Sequence, residues 1–337
     1  MNQKKIVRSL AVVLALGGAY IAITESANAN HSWGNYHWAR TTSPFTLRLG
    51  DNLSSATWKA HLSQASSDWN SGNTPLLTSV IAGTSNKRCS MVAGTTQVCN
   101  STYGNNGWLG LASINLTGAD HITQGTAKMN DTYFNTATYN NPNEREHVMC
   151  QEVAHTFGLD HQSTDGSSLN TCMDYFSNTG ANATSTLSTK PNKHDFDQLK
   201  LIYAHLDSFN TSFGTIAASS ASMPVAEAAA SAASLPRAHA AASAASLPFA
   251  DAGASAASAP FAAVSASAAS ASAAHSASID ISDDPSSWGQ LISQSKIGRS
   301  SYYMRHNNDG SQTLTHVYWT IEAASNCPSC DHRYERH

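Results

Sequence analysis

Residues 151–161 read Gln-Glu-Val-Ala-His-Thr-Phe-Gly-Leu-Asp-His. Gln151 and His155 are four apart, so on a helix they share one face and point at one place. Glu152 is the next residue round that helix, where a carboxylate can take a proton from a water held at that place. Gly158 can adopt the left-handed backbone that stops a helix and turns the chain back. That turn returns His161 to the same point in space. Two imidazoles, an amide oxygen and an adjacent carboxylate are the donor set of a metal site with a base beside it.

The spacing is that of the long zinc-protease pattern H-E-x-x-H-x-x-G-x-x-H, with Gln151 in place of the first histidine. Twelve residues after His161 stands Met173, within Thr171-Cys172-Met173-Asp174-Tyr175. On these residues the chain resembles the metzincins, the zinc endopeptidases that include matrixins, astacins and serralysins. The resemblance implies an α+β fold: a metzincin-like twisted sheet with an active-site helix and a methionine turn. It implies Zn2+ as cofactor, Gln151, His155 and His161 as its ligands, and Glu152 as general base. Met173 matches the turn methionine, and Tyr175 the tyrosine that astacins and serralysins direct at the metal or the reaction intermediate. Gln151 is the departure, because a neutral amide oxygen is a poorer zinc partner than imidazole. Two functions therefore stay open: an exported zinc endopeptidase acting on peptide or protein substrates, and a lapsed relative serving as a binding or structural module.

Residues 1–29 have the form of an export signal. Lys4, Lys5 and Arg8 precede an apolar stretch over 10–23, and Ala27-Asn28-Ala29 is a small-residue cleavage site. The expectation is a secreted or periplasmic protein cleaved after Ala29, with no membrane span in the mature chain. Its six cysteines suit an oxidising compartment. Spacing suggests three local pairs, although other pairings are formally open. Cys89 and Cys99 flank what reads as a hairpin with Gly94 near its tip. Cys150 and Cys172, if bonded, would tie the active-site helix to the methionine turn. Cys327 and Cys330 form a C-x-x-C that reads as a disulfide, with His332 and His337 nearby for a metal instead.

The composition is 41% hydrophobic and 12% charged, with a net charge of −4. Nothing here is basic enough for nucleic-acid binding. The first folded unit is expected over residues 30–210. Phe45-Thr-Leu-Arg-Leu-Gly alternates as a strand does. Residues 54–69 carry Trp58, Leu62, Ala65 and Trp69 at helical spacing, with Ser54 or Ser55 as cap. Strands are expected over 76–82, 109–116 and 122–129, and helices over 143–157 and 194–205. In the family resembled, the strand at 109–116 would be an edge that holds an extended peptide by main-chain bonds.

Residues 215–280 are almost entirely alanine and serine, with a twelve-residue repeat around Pro236, Pro248 and Pro260. Such a tract has too little apolar bulk to offset chain entropy and reads as a linker. Beyond it, 285–337 form a small β segment, with strands either side of Asn307-Asn308-Asp309-Gly310. His31 and His37 lie among Trp33, Tyr36 and Trp38, which suggests that the start of the mature chain packs on the domain. His147 is read as a surface histidine, and His121 as a loop residue near a substrate groove.

Overall fold

The computed structural model describes residues 31–84, 88–118, 120–212 and 283–326. Residues 1–29, with their expected export signal, the alanine-serine tract and the C-x-x-C at Cys327 and Cys330 lie outside the described residues. Those described belong to one compact unit built from two stretches, up to Gly214 and from Ser278 onward. The architecture is mixed α+β, with one large sheet and few helices.

The strands are β1 (His37–Trp38), β2 (Phe45–Asn52), β3 (Leu76–Ala82), β4 (Thr95–Ser101), β5 (Trp108–Thr117), β6 (His121–Asn130), β7 (Gln290–Gln294), β8 (Ser300–His306) and β9 (Gln312–Trp319). They are ordered β3-β2-β4-β6-β5-β9-β8-β7, with β1 paired to β6. Strands β3, β2, β4 and β6 run parallel, and from β5 onward each pairing is antiparallel. The crossover between parallel β2 and β3 is α1 (Ala56–Asn70), capped by Ser55, whose side chain accepts from the Trp58 amide. Its buried Trp58, Leu62, Ala65 and Trp69 are the expected helical stripe. The short helix α2 (Asp131–Phe134) follows β6, α3 (Pro142–His155) packs on α1, β5 and β6, and α4 (Lys193–Ile202) comes after it.

Two expectations about strands are corrected. Cys89 and Cys99 are joined, but no hairpin lies between them: the chain turns through Gly94 directly into β4, an interior parallel strand. Strand β5 is not an edge. It is flanked by β6 and β9, and Trp108 through Leu116 are all buried. The reason lies in β9, where every residue from Thr313 to Tyr318 is buried. Such a strand is stable only when both faces are covered and its backbone groups are paired. One face carries Leu314, His316 and Tyr318 toward α3. The other carries Val317 into a second cluster with Met91, Trp108, Leu111 and Trp288.

The start of the described chain packs as expected. Ser32 bridges to Leu159, the Trp33 amide donates to Gly158 O at 2.7 Å, and the Asp160 amide to His31 O at 2.7 Å. Cys150 and Cys172 are bonded, joining α3 to the segment containing Met173. No helix among the described residues is long and apolar enough to cross a membrane.

If the C-terminal strands are part of the main core, Trp288→Ala should cost about 3–5 kcal/mol of stability. It should also speed amide exchange through β8 and β9. Urea unfolding with exchange mass spectrometry measures both, and an unchanged midpoint would mean that these strands are only loosely attached.

Candidate metal centre

Helix α3 begins at Asn141, whose side chain accepts from the Glu144 amide, with Pro142 in the first turn. It ends at His155 because the chain must turn sharply there. Gly158 has φ +91°, and a Cβ on it would lie 2.0 Å from the carbonyl oxygen of Tyr36. No other residue fits that approach. The turn brings Leu159 back under the helix end, where its carbonyl accepts from His155 Nδ1 at 2.8 Å. Two residues later His161 arrives with its Nε2 3.2 Å from His155 Nε2.

The third member comes from β9. His316 stands over both imidazoles, with ring centroids 4.0 Å from His155 and 4.9 Å from His161. One ring nitrogen of each of the three histidines lies within 4.8 Å of the others. Glu152 stands beside them, its Oε2 3.1 Å from His316 Nδ1. From β8, Tyr302 places its hydroxyl 2.6 Å from His161 Nδ1 and donates to Asp160 Oδ1 at 2.5 Å. Trp33 closes the side nearest His155, at a centroid distance of 5.3 Å.

Each Nδ1 thus faces an acceptor: Leu159 O, the Tyr302 oxygen and Glu152 Oε2. That leaves the Nε2 of each ring unprotonated in the neutral imidazole. Two such lone pairs 3.2 Å apart repel unless they share a cation. The residues therefore fit a metal ion, with backbone, hydroxyl and carboxylate partners orienting the ligands from behind. Electrostatics agree. Burial, with the neighbouring His316, holds His155 and His161 well below the ordinary imidazole range. Burial brings His316 down to about 3. It pushes Glu152 up to about 8, opposed by His155 and His147. A cation among the rings would favour the carboxylate again.

The structure brings His155, His161, Glu152 and Tyr175 together. The Tyr175 hydroxyl is 2.9 Å from His161 Nδ1 and 3.5 Å from His316 Nε2. Met173 is fully buried, its amide donating to Thr171 Oγ1 at 3.0 Å and its carbonyl accepting from the Gln162 amide at 2.6 Å. Gln151 has its Nε2 turned to the segment around Met173, donating to Cys172 O at 2.8 Å and Asp174 O at 2.9 Å. Its Oε1 is buried without a hydrogen-bond partner. His147 is corrected from a surface residue to a fully buried one, set between Asn178 Oδ1 and Asp174 O. His121 turns to His37 and Asp207, a second group able to hold an ion.

His316 and Tyr302 carry no motif that sequence reading could use. The available signal was an imidazole at an alternating position between Leu314 and Tyr318, on the face of β9 that must be buried. In comparison with known proteins, no family model and no curated sequence matches the chain.

The imidazoles make the metal-free fold acid-sensitive. An unfolded histidine takes its proton near pH 6.5, whereas folded His316 refuses it to about 3. The stability due to its neutral form is present above about 6.5 and is lost as pH falls, by up to about 1.4 kcal/mol per pH unit. Glu152, shifted upward, has the opposite sign over roughly 4.5 to 8 and offsets about one imidazole of the three. Urea unfolding of the chelated protein should therefore weaken from pH 6.5 to 5. His316→Gln should flatten that slope by about 1.4 kcal/mol per pH unit; an unaltered slope would mean that the ring is not held neutral.

Proposed function

We propose that the chain is an exported zinc-dependent endopeptidase of the metzincin type, in a closed arrangement where its own strand β9 completes the metal centre. The observation that carries this reading is the convergence of His155, His161 and His316 beside Glu152. An all-imidazole donor set suits zinc. Bound there, zinc would supply Lewis-acid polarisation of a scissile carbonyl and would acidify a water.

The protein's own groups divide the remaining work. Glu152 takes the proton of the attacking water and passes it to the leaving amine; its Oε1 has no hydrogen-bond partner and is free for this task. Tyr175 donates from its hydroxyl to the oxyanion of the tetrahedral intermediate. The bonded Cys150–Cys172 pair keeps Tyr175 and the helix in fixed relation. Gly110 leaves room for the base, since a Cβ there would lie 2.5 Å from Glu152 Oε1. Export is supported by the signal-like residues 1–29 and by two disulfides. A peptide reaches the centre only when β8 and β9 move off β5.

The second reading, a metal-holding binding or structural module without turnover, is favoured by one observation. Glu152, His155 and His316 are completely buried, and the strand that would carry substrate is already paired.

Zinc content and peptide-library cleavage separate the two. His155→Ala and His316→Ala should each lose one equivalent of zinc relative to wild type. Glu152→Gln retains an oxygen acceptor toward His316 Nδ1, so it should hold zinc within about tenfold of wild type while cleavage disappears. Gln151→Ala should leave zinc affinity nearly unchanged. A wild type that holds this zinc and cuts nothing, before or after limited proteolysis of the 215–280 tract, is a module rather than a protease. Zinc lost with Gln151→Ala but kept in His316→Ala would return the third ligand to Gln151.

A further inference from the structure

Three segments remote in sequence meet at the outer end of β1 and β6. His37 lies in β1 and His121 opens β6, directly opposite it in the parallel register. His205 and Asp207 follow α4. Asp207 Oδ1 sits 3.4 Å from His121 Nε2, 3.5 Å from His37 Nε2 and 3.6 Å from His205 Nε2. His37 Nε2 and His205 Nε2 are 3.2 Å apart.

These separations are long for hydrogen bonds between imidazole and carboxylate, which close to about 2.7–3.2 Å. His37, His121 and Asp207 already bring one donor atom each within 4.8 Å of the others, and the four separations above lie near a different geometry. Donor atoms placed about 2.0–2.1 Å from a tetrahedral zinc stand about 3.3 Å from one another. Two of the remaining polar atoms are already committed elsewhere. His37 Nδ1 donates to Asn35 O at 2.7 Å, which leaves its Nε2 unprotonated. Asp207 Oδ2 accepts from the Arg40 amide at 2.9 Å, which leaves Oδ1 for the imidazoles. The Phe209 ring edges His121 at 4.9 Å and limits its rotation. A recess lined by Asn35, His37, Asp120 and His205 opens beside the cluster and gives an ion a way in.

We propose that His37, His121, His205 and Asp207 form a structural zinc site, separate from the centre at His155, that clasps the chain after α4 to the sheet. Three of the four are well covered, with side-chain exposures of 4% for His37, 10% for Asp207 and 22% for His121. His205 is 55% exposed and closes the site from the solvent side. Four protein ligands with no open position fit a structural rather than a catalytic role. The segment so held, residues 203–212, is the last described stretch before the alanine-serine tract. The clasp adds to backbone bonds already made there, Asp207 N to Arg40 O and Thr211 N to Ala39 O. It shares no residue with the His155 centre and does not depend on the protease reading.

The test uses the full chain, stripped with chelator and titrated with zinc by competition against a chromophoric chelator. The His155→Ala/His161→Ala protein should still bind one zinc tightly, and cobalt in its place should give the visible absorption of a tetrahedral ion. His205→Ala is exposed and should fold normally, yet should weaken this zinc at least tenfold. Zinc should also slow proteolysis and amide exchange across residues 203–212 in wild type, and do so less in His205→Ala. The proposal is overturned if His155→Ala/His161→Ala binds no zinc, or binds it only above about 1 μM as scattered surface histidines do. It is overturned equally if His205→Ala binds this zinc as tightly as its parent. Loss of the His155 zinc alone would count against the protease centre and leave this site standing.

Discussion

Strand β9 lies against β5 with His316 opposite Ala112 and Val317 opposite Leu111. Most of what is distinctive in the molecule depends on that register. Side chains of a strand alternate between faces, so a slip of one residue would carry His316 away from α3 and bring Thr315 or Val317 in its place. The register is held on the far face, where Val317 meets Trp108, Leu111 and Trp288. On the near face Leu314 and Tyr318 join the main core. Apolar burial on both faces thus fixes an imidazole beside two others that the helix and its return loop deliver.

The same pairing sets occupancy against access. An unpaired β5 would offer its backbone to an extended peptide; here β9 of the same chain pairs with it and brings His316 to the two other imidazoles. Gln151 braces the floor beneath this pairing. A side-chain amide offers two N–H donors from one nitrogen, and both go to carbonyls of the segment around Met173. An imidazole with its Nε2 turned to a metal has a single N–H left, so a histidine there could not brace the segment in the same way. Glutamine at this position secures the floor of the site, while the third imidazole of the cluster comes from β9.

Sequence reading found the parts that obey local rules. The spacing of Trp58, Leu62, Ala65 and Trp69, the serine cap, the glycine stop at Gly158 and the alternation around Phe45 are each set by neighbouring residues, and each element lies where expected. The two disulfides among the described residues were anticipated as well. What was not legible is non-local. Nothing near His316 says that it will lie on α3, because the tract between them hides the distance to be closed. His147 looked like a surface residue because helical periodicity places it near the ligand face but says nothing of what covers that turn. Asn178 and Asp174 cover it, and they belong to a loop with no periodic signal. The Gly94 turn misled for a related reason: a β-turn reads as a hairpin unless the partner of the following strand is known, and here β4 joins parallel neighbours.

Burial of so many ionisable groups has an energetic consequence for the whole fold. Three imidazoles and a carboxyl inside the core bring little hydrophobic gain and must be kept neutral or paired. Without a cation, the lone pairs of His155 and His161 face each other, and Glu152 is driven toward its protonated form. With one, the rings act as ligands, the carboxylate recovers its charge, and the metal's binding energy becomes folding energy. The apolar packing of β9 and the affinity of the three imidazoles for an ion then reinforce each other, since His316 is in reach only when β9 is docked. For a metal bound by these three rings, uptake and docking of the C-terminal strands would be one equilibrium: by reciprocity, whatever lifts β9 from β5 would weaken the metal by the same free energy with which the metal held β9 down.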